Sequence, residues 1–129
     1  VILADTCVVI WLAMDCKMLS KAATDAIGAA RSEDGIAICD ATLYELAWLV
    51  TNKRVDVVGT LNAFLNDVSR RFIVLPVTAS VAQLAAAFPA PYPSDPMDRL
   101  IGATALDRGV PLVTRDKAIR RSKLVPTIW

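Results

Sequence analysis

The sequence predicts a three-layer α/β/α fold with a mostly parallel central sheet of four to five strands, and three observations carry that expectation. Short Val-, Ile- and Leu-rich runs alternate along the chain with longer stretches at helical spacing. The composition is 55% hydrophobic but only 6% aromatic, the aliphatic mix that buried parallel strands and their covering helices need. The length of 129 residues suits a single domain over 1–129, because a chain of that size buries roughly two thirds of its unfolded surface.

Residues 1–4 form a short buried strand ended by Asp5, which stands where an N-cap for a helix over 6–14 would stand. Val8, Val9, Trp11 and Leu12 are available to pack that helix. A polar connection over 15–20 leads to a second helix from Ser20 to about Arg31, then a turn over 32–35 and a second buried strand, 36–39, ending in Asp40. Thr42 and Glu45 precede the apolar run 46–50 with the spacing of a capping box. In that reading Thr42 accepts from the Glu45 N–H and Glu45 reaches back to the Thr42 N–H. Asn52-Lys53-Arg54 closes this helix with the positive charge a helix C-terminus favours. A further helix is expected from about Asp56 to Ser69, with Val57, Leu61, Phe64, Leu65 and Val68 at helical spacing and Arg70-Arg71 at its end. The third strand is 72–75.

An alanine-rich helix over 78–88 stops at the loop 89–94, where three prolines in five residues forbid its continuation. Tyr92 in that loop offers a ring for a nucleobase, but packing is the simpler expectation. Asp95 then reads as an N-cap, Pro96 as the first helical residue and Asp98 as the third, in a helix reaching about Arg108 and terminated by Gly109. Small Gly102, Ala103 and Ala105 allow this helix to approach its neighbours closely and hold Asp98 over a crevice. A fourth strand over 110–114, a short basic helix over 117–121 headed by Asp116, and an edge strand within 125–129 complete the chain.

The most restrictive count is zero histidines, which removes Ser-His-Asp and Cys-His catalysis and histidine-ligated zinc. Three cysteines, Cys7, Cys16 and Cys39, have no C-x-x-C spacing and lie in or beside apolar segments, as reduced thiols of a cytoplasmic protein do. No membrane span is expected, since the longest apolar run, 7–14, falls well short of the ~20 residues a span requires. No secretory signal opens the sequence, and the start at Val1 leaves room for a few further residues ahead of it.

What remains is carboxylate, Lys or Arg chemistry, or a hard metal ion. Asp5, Glu45, Asp98 and Asp116 share one address: just past a strand's carboxyl end, or in the first turn of the helix that follows. In a parallel sheet those ends lie on one edge, where ligands bind. Capping explains each acid singly but not a crowd of them, because neighbouring carboxylates repel unless a cation lies between them. Mg2+ or Mn2+ is the natural partner of an all-oxygen donor set, and such a site can activate water for phosphodiester attack. With five of the thirteen acids gathered there, Asp95 included, eight acids face fourteen Lys and Arg, so the remaining surface is basic despite a net charge of +1. Arg99, Arg115 and Lys117, with Arg120, Arg121 and Lys123 beyond, are placed to hold an RNA backbone.

Four segments in order, Leu3-Ala4-Asp5-Thr6, Thr42-Leu43-Tyr44-Glu45, Asp95-Pro96-Met97-Asp98-Arg99 and Val113-Thr114-Arg115-Asp116, make the chain resemble a PIN-domain nuclease, specifically a VapC-type toxin of a type II toxin–antitoxin system. The resemblance covers nearly the whole chain. It implies a PIN-like fold, RNA cleavage, a homodimer and neutralisation by a cognate antitoxin that buries a segment in a groove. It makes Asp5 and Asp98 direct Mg2+ ligands, gives Glu45 and Asp116 a second ion or metal-bound waters, and assigns Thr6 and Thr114 supporting hydroxyls. Asp95 matches an acid common in the subgroup and stands second to Asp98. Val9, Trp11, Leu12 and Met14 are the apolar residues considered for the antitoxin groove, with core packing as the simpler role. Asp40 departs from the small hydroxyl residue often found before the family's glutamate, which bears on the local hydrogen bonding. Two other functions compete: a PIN-like module that binds RNA or protein without cleaving, and a phosphotransfer domain. The latter needs an acid pair at the first strand, where Asp5-Thr6-Cys7 supplies one.

Overall fold

The computed structural model describes residues 1–14 and 17–129. Cys16, expected as a buried thiol, and Asp15, at the start of the expected polar connection, lie outside the described residues. The elements follow the expected alternation: β1 Ile2–Ala4, α1 Thr6–Ala13, α2 Lys21–Ser32, β2 Ile36–Cys39, α3 Asp40–Thr51, α4 Leu61–Arg71, β3 Ile73–Leu75, α5 Ala79–Ala87, α6 Pro96–Arg108, β4 Leu112–Val113, α7 Lys117–Ser122 and β5 Thr127–Ile128. The strands form one five-stranded sheet in the order β3-β2-β1-β4-β5, with every pairing parallel.

Successive side chains of a strand point to opposite faces, and the two hydrophobic clusters obey that period. On one face Leu3, Ala37, Cys39 and Leu112 pack with residues of α5, α6 and α7, including Val81, Ile101 and Ile119. On the other, Ile2, Ala4, Ile38 and Val113 pack with residues of α1 to α4, including Val8, Ile27, Leu46 and Val68. The sheet is therefore covered on both sides, as the three-layer expectation requires. No helix among the described residues is long and apolar enough to cross a membrane.

β1 is central. Its neighbour on one side is β2, the next strand in sequence, and on the other β4, reached by a later crossover. The chain reverses its winding between β1 and β4, the position at which parallel sheets open a crevice beyond the strands' carboxyl ends.

Three expectations about local structure are corrected. The helix expected from Asp56 begins at Leu61: Gly59 sits at φ 83°, outside the helical region, and Thr60 caps α4 by accepting from the Ala63 N–H at 3.1 Å. The capping box at Thr42 and Glu45 does not form. α3 begins two residues earlier at Asp40, with Cys39 in the cap position, so Thr42 is already helical and fully buried. The strand expected over 110–114 shortens to Leu112–Val113, since Pro111 has no N–H for the ladder and offers only its carbonyl to the Leu3 N–H, at 2.9 Å.

Candidate active site

Asp5 leaves the end of β1 and caps α1, so its carboxylate projects from the sheet's carboxyl edge. It is almost wholly buried, with 7% of its surface exposed. One oxygen, Oδ1, accepts from the Thr6 N–H at 2.8 Å, and Oδ2 accepts from the Thr114 hydroxyl at 2.6 Å. Burial raises its pKa, the Thr114 and Thr6 hydrogen bonds oppose that, and the charge of Asp116 adds to it. The Cys7 thiol also approaches Oδ2, at 4.0 Å, while Oδ1, with two lone pairs and one donor, retains capacity for a further partner.

Thr114 joins two of the acids. Its hydroxyl donates to Asp5 and accepts from the backbone N–H of Asp116 at 3.1 Å. Asp116 in turn caps α7, its Oδ1 accepting from the Ile119 N–H at 2.9 Å. Beside the cavity, the buried Thr6 hydroxyl meets the fully buried Thr42 hydroxyl at 3.3 Å. Burial raises the pKa of the half-buried Glu45, and a hydrogen bond from Thr6 lowers it, while the charges of Asp5 and Asp95 raise it further. The Thr6 hydroxyl thus stands between Thr42 and Glu45 and links α3 to α1 through neutral hydroxyls.

Asp98 is fixed by the start of α6. Asp95 Oδ1 accepts from the N–H groups of Met97 and Asp98, at 2.8 and 3.1 Å, and Pro96 opens the helix as expected. Tyr92 is buried, with its hydroxyl donating to the Asp98 carbonyl at 2.8 Å, so it packs and offers no face to a base. Its ring lies against Gly102, where a Cβ would overlap the hydroxyl and come within 2.6 Å of the ring carbon bearing it. The Asp98 carboxyl is raised to about 7, first by burial and then by the charges of Asp5, Asp95, Asp116 and Glu45.

Asp5, Glu45, Asp98 and Asp116 line one cavity of about 690 Å³. Asp95 does not line it, although its charge is felt by Glu45 and Asp98. Among the described residues no three acidic, cysteine or histidine side chains form a closed metal cluster, so the acids share a cavity wall rather than a finished ligand shell. Their chemistry nevertheless fits a hard cation: the four acids supply oxygen donors of one charge sign, and among the described residues no salt bridge neutralises them. Cys7 also lines the cavity, but burial and then the Asp5 charge push its thiol up to about 12, which rules it out as a nucleophile.

Two of the three expected RNA contacts reach this cavity. Arg115 and Lys117 are exposed at its rim, with the Arg115 guanidinium 5.9 Å from the Trp11 ring centroid. The expectation for Arg99 is corrected: its guanidinium turns inward and donates to the carbonyls of Pro93, Ala85 and Phe88 at 3.0, 3.1 and 2.8 Å, capping the open end of α5. Of the residues considered for a partner groove, Val9 is in the core and Trp11 lines the acidic cavity, while Leu12 and Met14 line two separate concavities. Ile10 and Leu49 were missed as cavity residues. They lie four residues after Thr6 and Glu45, so helical spacing alone places them on the same faces.

The family model for the PIN domain matches residues 2–123. The chain belongs to the PIN-domain family. It is 35% identical over 130 residues to ribonuclease VapC22 of Mycobacterium tuberculosis (strain ATCC 25618 / H37Rv), covering 99% of this chain and 98% of that protein. This PIN domain is also similar to the structure of VapBC2 from Rickettsia felis bound to a DNA fragment from its promoter, with a TM-score of 0.72 at 15% identity over 97% and 95% of the two chains. A toxin-antitoxin complex from Klebsiella pneumoniae matches with a TM-score of 0.62 at 20% identity, over 90% of this chain and 87% of that one. At those identities the structures speak for the fold, while the VapC22 likeness makes this a VapC-type member of the family.

Proposed function

We propose that this PIN domain is a Mg2+- or Mn2+-dependent endoribonuclease toxin, cytoplasmic, acting as a homodimer and inhibited by a cognate antitoxin. One observation carries the catalytic part: carboxylates from four separate elements line a single cavity at the sheet's switch point, where burial first and then the neighbouring negative charges raise Asp98 to about 7. Proteins hold like charges together at such a cost where a ligand of opposite charge belongs. The name of the VapC22 relative supports ribonuclease activity, and the complex from Klebsiella pneumoniae supports an antitoxin partner.

Asp5 and Asp98 would hold the cation directly, with Glu45 and Asp116 beside it. When bound, a divalent ion supplies Lewis-acid stabilisation of phosphodiester charge and lowers the pKa of water. Thr114 fixes the Asp5 carboxylate and the Asp116 backbone together, so the two acids keep their spacing. Thr6 and Thr42 orient Glu45 without neutralising it. Arg115 and Lys117 at the rim attract the backbone phosphates, and Trp11, with its ring centroid 5.9 Å from that of Trp129, gives Arg115 a firm face to lie on.

The test is RNA cleavage with and without Mg2+, Mn2+ and excess chelator, for the parent chain and Asp98→Asn. Cleavage that needs the ion and is lost in the folded variant supports the proposal. Cleavage that persists in chelator or in Asp98→Asn overturns it, and RNA binding without any cleavage by the parent favours a non-catalytic module.

A further inference from the structure

A second concavity, about 370 Å³, is lined by Lys117, Arg120, Arg121 and Lys123. All four side chains are exposed, and among the described residues no salt bridge involves them: the ion pairs lie at Val1–Asp34, Lys21–Asp25 and Asp67–Arg71. Four cations around one hollow repel one another just as the acids next door do, and the complementary ligand is a polyanion.

The patch is rigidly tied to the acidic cavity. Asp116 caps the helix that carries it, Ile119 buries that helix in the core, and Val125 anchors the segment beyond. Lys123 holds a left-handed backbone conformation, φ 55°, at the helix end, while the Ser122 hydroxyl donates to the Ile119 carbonyl at 2.6 Å. Lys117 lines both cavities, so the positive wall runs unbroken from the acids into the basic hollow. At 1.5 Å of helix rise per residue, Arg121 stands roughly 8 Å along the axis from Asp116. Successive phosphates of a single strand stand farther apart than the roughly 3.4 Å axial rise per strand of a duplex, so that reach spans about one phosphate step.

We infer that the hollow of Lys117, Arg120, Arg121 and Lys123 is a second RNA-backbone subsite, which holds the phosphates next along the chain from the one presented to the acids. This rests on the ribonuclease reading and extends it: the protein engages a stretch of RNA chain rather than a single linkage. The subsite is read by the salt dependence of binding, in which a single strand loses a slope of about 0.7 per phosphate contact removed.

The experiment measures binding of a single-stranded RNA to the full chain in chelator across a range of salt, for the parent, for Arg120→Gln/Arg121→Gln/Lys123→Gln, and for Arg120→Lys/Arg121→Lys. The inference expects the Gln variant to lose affinity and to show a slope shallower by about 2 in log–log form, with the Lys variant keeping the parent slope. A slope that does not change in the Gln variant overturns it and leaves the hollow to an acidic protein segment. Weaker binding at unchanged slope also overturns it, since that marks a structural effect. Cleavage of the same RNA by the parent with Mg2+ added reports separately on the ribonuclease reading, so either can fail alone.

Discussion

Asp98→Asn should make the metal-free protein more stable while removing its activity, and the two effects have one cause. In the fold the Asp98 carboxyl is raised from its ordinary 3.8 to about 7, by burial first and then by four neighbouring acids. Between those values the native state holds a proton that the unfolded chain has released, so stability falls as pH rises from about 4 to 7 and is level above that. The full shift sets a ceiling of about 4 kcal/mol. Water reaches part of this half-buried side chain, and discounting for that leaves about 2 kcal/mol. Asparagine has nearly the same shape and no charge to desolvate. At pH 8 it should gain about 2 kcal/mol, or about 7 °C in Tm for a chain of this length, and near pH 3 it should gain little.

Thermal or urea unfolding of parent and Asp98→Asn in chelator from pH 3 to 8 measures this difference directly. A variant no more stable than the parent at pH 8, or a gain independent of pH, would refute the argument that Asp98 stands in a field of like charge. Adding Mg2+ at pH 8 supplies the counter-test: the parent should rise towards or past the variant, because a ligand bound only by the native state stabilises it, and the variant should respond far less.

Thr114→Val leaves both the Asp5 carboxylate and the Asp116 N–H without their shared partner, and should cost about 2–4 kcal/mol in urea unfolding, with Thr114→Ser restoring most of it. Gly102→Ala drives a methyl into the Tyr92 ring, which cannot rotate away as a flexible chain end would; a loss of about 2–4 kcal/mol is expected, together with weaker Mg2+ binding measured by titration calorimetry as the Asp98 turn shifts. Arg99→Ala uncovers the carbonyls at the end of α5 and should cost about 2–4 kcal/mol in thermal unfolding, with Lys a poor replacement for a forked donor. The salt slope of RNA binding should be unmoved by Arg99→Ala.

The parts of this fold that are legible in the sequence are those where a local signal is unambiguous. At α6, Asp95, Pro96 and Gly109 each favour one position in a helix, and the expected boundaries coincide with the observed ones. The parallel direction of the strands, and with it the placing of the acids along one edge, follows from alternation, whereas the spatial order β3-β2-β1-β4-β5 does not. Elsewhere one pattern permits two structures. Thr42 and Glu45 have capping-box spacing, yet the same two residues one turn further into a helix put a hydroxyl and a carboxylate on its inner face. The choice is made by Thr6, whose hydroxyl lies 3.3 Å from that of Thr42 although 36 residues separate them. Arg99 likewise carries no local mark of its destination. It sits beside the acids in sequence, but the uncapped carbonyls of α5 lie within its reach, and a guanidinium satisfies several of them at once.

The redirection of Arg99 bears on the logic of the whole site. Any of the nearby cations could neutralise Asp5 or Asp98, yet Arg99 binds carbonyls, Arg115 lies against Trp11, and four basic side chains, Lys117 among them, line their own hollow. The donors that do hold Asp5 are all neutral: a backbone N–H, a threonine hydroxyl and, at 4.0 Å, the Cys7 thiol. A neutral donor fixes a carboxylate's position while leaving its charge and its remaining lone pairs in place, whereas an arginine would fix it and cancel it. Threonine is thus the residue type that suits a site meant to be both rigid and negative. Burial and the resulting repulsion, which together raise Asp98 to about 7, destabilise the ionised site, a cost that a bound cation would offset. On the proposed function, that same burial and repulsion would favour a divalent ion in this cavity over the isolated acids of the surface.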